Sequence, residues 1–172
     1  MADYQAPLQQ MRFTIEHLAG FDEVKALPDY ETVDADTVEA VLEEAARFAS
    51  GVLAPINWLG DRQGVRVVDD AVQVPAEFTE AYARFCEGGW PGIAGNPDFG
   101  GQGLPKIIGA ACLEINNSAN LSFALCPLLT DGAIDALLTA GSDAIQQIYL
   151  PRMISGEWTG TMNLTEPQAG SD

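Results

Sequence analysis

Positive charge is scarce in this chain. Only 8 Lys and Arg stand against 25 Asp and Glu among 172 residues, a formal net charge of −17. Nucleic acid is gripped by clustered basic side chains. Here Arg12, Lys25, Arg47, Arg62, Arg66, Arg84, Lys106 and Arg152 are scattered with no two adjacent. That argues against nucleic acid and, equally, against an anionic membrane surface. Cysteine is also sparse: Cys86, Cys112 and Cys126 are an odd, widely spaced set. They form neither a disulfide framework nor a CxxC metal site, so buried reduced thiols are expected. Histidine is reduced to His17, and no Gly-x-Ser-x-Gly elbow accompanies it. A nucleophilic triad is therefore not indicated, and His17 is expected to be structural or superficial. No basic stretch followed by an apolar run opens the chain, so no signal peptide is expected. The apolar run near Leu121–Leu129 contains Pro127 and falls short of the roughly 20 residues a bilayer needs. No membrane span and a cytoplasmic location are expected.

What the chain has is apolar content, 47% of its residues, sufficient for a real core. Leu8, Met11, Ile15 and Leu18 recur at helical spacing behind Pro7, with Gly20 as the stop, predicting a helix within residues 6–20. An irregular connector is expected over 21–32. Asp34 or Asp36 then caps a longer helix, whose Val38, Val41, Leu42, Ala45, Phe48, Ala49 and Val52 make one face and which Pro55 should end. Read as a calcium loop, Asp34-x-Asp36 fails for want of the glycine at the sixth position. Segments 65–68 and 71–74, joined at Asp69-Asp70, predict a small hairpin or extended excursion. Pro75 opens another helix, stopped at Gly88-Gly89. Apolar helices are expected over 104–117 and 121–139, the second bending or restarting at Pro127. Ser142 should cap a short helix ended by Pro151. At 158–165 the pattern again turns β-like, predicting a strand.

The glycine-rich stretch Phe99-Gly100-Gly101-Gln102-Gly103-Leu104-Pro105 invites a phosphate-cradle reading. It lacks the Gly-Lys-[Ser/Thr] ending of a P-loop. Lys106 occupies the third glycine position of a dinucleotide fingerprint, and no strand precedes it. A tight loop entering a helix is the reading that survives.

The C-terminal stretch is more specific. Tyr149-Leu150-Pro151-Arg152-Met153, Ser155-Gly156-Glu157-Trp158 and Leu164-Thr165-Glu166-Pro167-Gln168-Ala169-Gly170-Ser171-Asp172 together resemble the acyl-CoA dehydrogenase family. The Phe99–Gly103 loop is similar to that family's Gly-Gly-x-Gly turn, and the match runs from about residue 35 to the end. Tyr4-x-Ala6-Pro7-Leu8, Met11-Arg12-Phe13 and Gly156–Met162 resemble the larger bacterial branch, which contains 3-(methylthio)propanoyl-CoA dehydrogenases.

The resemblance implies an all-α fold of the family's N-terminal helical type, with the small hairpin and one terminal β-strand of an incomplete middle domain. Residues 1–34 would be an N-terminal extension with one helix, 35–156 the helical domain, and 157–172 the first strand and flavin-motif loop. It implies FAD as cofactor and oxidation of an acyl-CoA thioester to the trans-2-enoyl-CoA. Met162 and Leu164 would offer main-chain contacts to the flavin edge, Thr165 its hydroxyl and N–H, and Ser171 a contact to the pyrophosphate. Phe123, Leu125, Leu128, Leu129 and Thr130 would fall in the acyl-pocket region. The family's base is a glutamate of a C-terminal helical domain outside these residues; Glu166 belongs to the strand-end motif. The expectation is that this chain alone is inactive. Its partners would be an acyl-CoA, an electron-transfer acceptor, a C-terminal portion and, at full length, further copies of itself. So acidic a piece supplies few cationic contacts for CoA phosphates. An alternative is a non-catalytic helical association module that keeps the family fold.

Overall fold

The computed structural model describes residues 4–163 and 165–170. Its elements follow mostly from local chemistry. α1 (Leu8–His17) starts directly after Pro7 and buries Met11 and Ile15. Arg12 ties it to the next long helix through Glu39 at 2.7 Å and Glu43 at 3.0 Å. The expected irregular connector contains a short helix, α2 (Phe21–Lys25), and a 3-10 turn at Pro28–Tyr30.

α3 (Ala35–Phe48) is capped by Asp34, whose carboxylate accepts the Thr37 N–H at 2.8 Å. This hydrogen bonding holds the Asp34 carboxyl below its usual pKa. The inward face carries Val38, Leu42, Ala45 and Phe48. Full burial of a side chain such as Leu42 is worth about 1.5–3 kcal/mol.

Pro55 does not end the helical run. A π turn spans Ala49–Leu53, and α4 (Ala54–Gln63) begins behind it with Pro55 in its first turn. The Ala54 N–H reaches back to the Ala49 carbonyl. A proline is compatible with a helix where its absent N–H has no intrahelical duty, and the wider turn creates that position.

The hairpin forms as expected. β1 (Arg66–Val68) and β2 (Ala71–Gln73) are antiparallel, with Val67 opposite Val72. Asp69 and Asp70 both take positive φ, 51° and 60°, the backbone of a two-residue hairpin turn that Asp tolerates better than most residues. α5 (Ala76–Glu87) follows Pro75 and buries Ala81 and Phe85.

α6 (Lys106–Ala119), α7 (Leu121–Ala140) and α8 (Asp143–Ile154) complete the domain. Two expected breaks are overridden. α7 runs through Pro127 without restarting, and α8 contains Pro151 and ends at Ile154. Each proline forfeits one backbone bond, a local loss that the packing of the rest of the helix outweighs. Leu150, Met153 and Ile154, on both sides of Pro151, are buried together with Ile134 of α7. By length and composition α7 is also apolar enough to cross a membrane, contrary to the expectation drawn from Leu121–Leu129 alone, and much of its apolar surface is uncovered. Here it packs against α4, α6 and α8.

The main core lies between α3, the π turn and α6, where Leu42, Leu53, Ile108 and Ile115 are almost wholly enclosed. The strand expected over 158–165 is absent among the described residues. Residues 159–163 run without a ladder, and the nearest β feature is the isolated bridge Glu166–Gly170. An isolated β-favouring segment has no neighbour to accept its hydrogen bonds.

Candidate functional site

Gly88–Pro105 links α5 to α6 by folding on itself. Gln102 N–H donates to the Gly92 carbonyl at 2.8 Å, Gly103 N–H to Gly95 at 3.0 Å and Leu104 N–H to Ile93 at 3.1 Å. These bonds bring Gly101 against Gly95 so closely that a Cβ at 101 would lie 2.6 Å from the Gly95 Cα. A Cβ at Gly92 would lie 2.9 Å from Ile154 Cγ2. The loop is thus a packing device that seats α8, consistent with a tight turn rather than a phosphate cradle.

Beyond α8 the chain is moored in stages. Tyr82 donates its hydroxyl to the Gly156 carbonyl at 3.0 Å, and its removal from water there raises the phenol pKa. Trp158 N–H donates to the Arg152 carbonyl at 3.0 Å, and the Arg152 guanidinium lies 4.4 Å from the indole centroid. Gly160 N–H donates to Thr130 Oγ1 at 3.1 Å. Among the described residues, Met162, Asn163 and Thr165 then have no backbone hydrogen-bond partner, and all three are exposed.

The residues expected to contact flavin therefore sit as follows. Met162 and Thr165 are exposed on an open main chain. Leu164 and Ser171 lie outside the described residues. The five expected near an acyl chain divide between two faces of α7. Leu125, Leu128 and Leu129 are exposed, at 50%, 38% and 37%, whereas Phe123 and Thr130 point inward. The Phe123 ring meets Phe85 edge-on at 5.6 Å. The Thr130 hydroxyl donates to the Cys126 carbonyl at 3.2 Å while accepting from Gly160. A period of 3.6 residues separates these faces.

Sequence reasoning missed a groove of about 860 Å³ between α6, α7 and the glycine-rich loop, floored in part by Trp90, Ile93 and Leu113. Lys106 and Asp135 pair across it. Asp131 also borders it; although part of the residue meets solvent, loss of water around its carboxyl raises the pKa to about 6, opposed by Lys106 and reinforced by Asp135. Asp131 and Asp135 share one face of α7 at i,i+4 spacing and meet Lys106 from the start of α6, so spacing on two helices, not a motif, builds this feature.

The cysteines are free but not uniformly buried. Cys112 is enclosed, with burial pushing its thiol up to about 12, Cys86 is half-buried, and Cys126 is exposed on α7. His17 lies at the last turn of α1, exposed, with its ring edge against Phe13 at 4.8 Å.

Among the described residues, the C-terminal segment of this helical domain thus leaves main-chain donors and acceptors without partners, and α7 leaves an apolar face uncovered. The sequence profile described as "Acyl-CoA dehydrogenase, N-terminal domain" matches residues 35–157, and the chain belongs to that family. It is 49% identical over 169 residues to 3-methylmercaptopropionyl-CoA dehydrogenase of Ruegeria pomeroyi, covering 98% of this chain and 29% of the relative. The fold matches that of a glutaryl-coenzyme A dehydrogenase in its glutaryl-CoA complex, at a TM-score of 0.65 and 21% identity, over 82% of this chain and 34% of the other. It also matches an acyl-CoA dehydrogenase from Bacillus anthracis complexed with FAD, at a TM-score of 0.61 and 20% identity, over 81% of this chain and 23% of the other. The chain thus spans under a third of the curated relative's length.

Proposed function

We propose that these residues form the N-terminal part of an FAD-dependent acyl-CoA dehydrogenase that oxidises an acyl-CoA thioester to the trans-2-enoyl-CoA. The observation that carries this reading is the open main chain of Met162, Asn163 and Thr165, held at the end of a segment moored to α7. N–H and C=O groups without partners among the described residues suit the polar edge of an isoalloxazine, whose nitrogens and oxygens need donors and acceptors. When bound, FAD supplies the hydride-accepting chemistry. In this reading Met162 and Leu164 present main-chain groups to the flavin edge. Thr165 adds a hydroxyl and its N–H, and Ser171 reaches the pyrophosphate.

α7 supplies the apolar side. Leu125, Leu128 and Leu129 face the acyl chain, excluding water from it, with Phe123 and Thr130 supporting them from beneath. The 49% identity to a 3-methylmercaptopropionyl-CoA dehydrogenase supports a short thioester of that kind as substrate. The base is a glutamate outside these residues, an electron-transfer acceptor takes the electrons away, and the whole protein works as a cytoplasmic homo-oligomer. Because base and most cofactor contacts lie elsewhere, residues 1–172 alone carry no turnover.

Mixing this chain with the remainder of its polypeptide tests the proposal. Flavin retention and acyl-CoA-dependent reduction of an electron acceptor are expected on mixing and not from either part alone. An assembled complex that remains helical yet takes up no flavin would instead favour a non-catalytic association module.

A further inference from the structure

We propose that Thr130 and Gly160 form a mooring that sets where the flavin-contacting segment lies against the acyl-facing helix, which makes Thr130 a positioning residue. This rests on the flavin reading above. Thr130 is buried, at 5% exposure, and its hydroxyl both donates and accepts. Its proton goes to the Cys126 carbonyl at 3.2 Å, which leaves an oxygen lone pair for the Gly160 N–H at 3.1 Å.

The second half of the mooring is steric. Gly160 lies flat on α7: a Cβ there would meet Ala133 Cβ at 2.6 Å, Met153 Cε at 3.2 Å and the Thr130 Cα at 3.3 Å. No residue larger than glycine lets the chain approach this closely. Before Gly160 the segment is already fixed by the Trp158 N–H to the Arg152 carbonyl. After it, among the described residues, no backbone hydrogen bond restrains the chain until Glu166 meets Gly170. Gly160 is therefore the final tether before Met162, which extended chain places at most about 7 Å farther on.

The mooring also joins two functions on one helix. Leu128 and Leu129 occupy the turn that ends in Thr130 and face outward, while Thr130 faces the segment leading to Met162 and Thr165. Any displacement of the segment relative to α7 changes the spacing between the flavin edge and the acyl chain. Geometry at this level of tolerance governs a transfer between two bound groups.

The test uses Thr130→Val, which keeps shape and removes the hydroxyl, and Thr130→Ser, which restores it, both in the full-length polypeptide. Amide hydrogen exchange at Gly160 is read in the cofactor-free protein, and FAD affinity and the visible flavin spectrum in the loaded one. Thr130→Val is expected to speed Gly160 exchange and weaken FAD binding about tenfold each, the scale of one lost hydrogen bond. The flavin spectrum should change, exchange at Leu42 should not, and Thr130→Ser should stay within about twofold of the parent. Faster exchange with unchanged FAD affinity and spectrum would overturn the positioning role, and so would unchanged Gly160 exchange. Should Thr130→Val fail to fold, Gly160→Ala, which lifts the same segment off Ala133, is read by the same FAD measurements with the same expected and overturning results. A parent protein that takes up no FAD would instead overturn the flavin reading, and this inference with it.

Discussion

The Asn120 side chain donates to the Leu53 carbonyl at 3.1 Å across 67 residues of sequence. The same side chain, through Oδ1, caps α7 by accepting the Phe123 N–H at 3.1 Å and the Ser122 hydroxyl at 2.8 Å. Asn120 is 1% exposed, and Leu53 closes the π turn ahead of α4. One buried amide thus joins the π turn between α3 and α4 to the start of the helix that carries the apolar face.

Replacing Asn120 by Ala removes a cap and the bridge to the Leu53 carbonyl. Cap loss costs about 1 kcal/mol and a lost hydrogen bond about 0.5–1.5 kcal/mol. Asn120→Ala is therefore expected to destabilise the chain by about 1.5–2.5 kcal/mol in urea unfolding. Asn120→Asp keeps the cap oxygen but loses the donor to Leu53, so it should not restore the parent midpoint.

Gly101 permits the approach to Gly95 that stitches the α5–α6 loop. Its Cβ would run into backbone, which cannot rotate away as a side-chain tip can. Gly101→Ala should cost more than about 3 kcal/mol, or abolish soluble expression, by the penalty for overpacking a closed site. Gly51→Ala, with no atom within 4 Å of the added carbon, is the control expected to leave the unfolding midpoint unchanged or raised.

Asp131 gives the domain a pH signature. The Asp131 residue is exposed, but neighbouring atoms at the edge of the α6–α7 groove thin the water around its carboxyl and, with Asp135 beside it, raise its pKa from 3.8 to about 6 against the pull of Lys106. The folded state therefore holds the proton more tightly than the unfolded chain does, and this group lowers stability progressively as pH rises from about 4 to 6. Below that window the penalty vanishes. Thermal unfolding of Asp131→Asn should show a higher midpoint than the parent at pH 7, and the two midpoints should converge near pH 4. A constant difference across that range would mean that Asp131 titrates as an ordinary surface carboxylate.

Most of the helical architecture was legible in the sequence because its signals are local. Asp34 caps α3, Asp69-Asp70 turn the hairpin, and Leu42 and Phe48 mark an inward face by spacing alone. The misjudged features share a cause: they depend on neighbours. Pro55, Pro127 and Pro151 read as breaks because each lacks an N–H, but a π turn accommodates the first and packed helices hold the other two. The stretch 158–165 has strand chemistry, but among the described residues no strand pairs with it. Cys126 lies in an apolar run yet is exposed, because that run includes an uncovered helix face. At the candidate site, the terminal motif was readable as a run of residue types. The Thr130–Gly160 bond, between residues 30 apart, was not, since a lone threonine in an apolar helix announces no partner.

The central claim is that these residues help build a flavin site that oxidises an acyl-CoA. Its most direct test is anaerobic titration of the full-length, FAD-loaded protein with 3-methylmercaptopropionyl-CoA and, separately, butyryl-CoA, following visible flavin absorbance. The account predicts stoichiometric bleaching by at least one of these thioesters, with the trans-2-enoyl-CoA as product. A protein that binds FAD but shows no bleaching with either, while dithionite reduces it fully, would contradict the account.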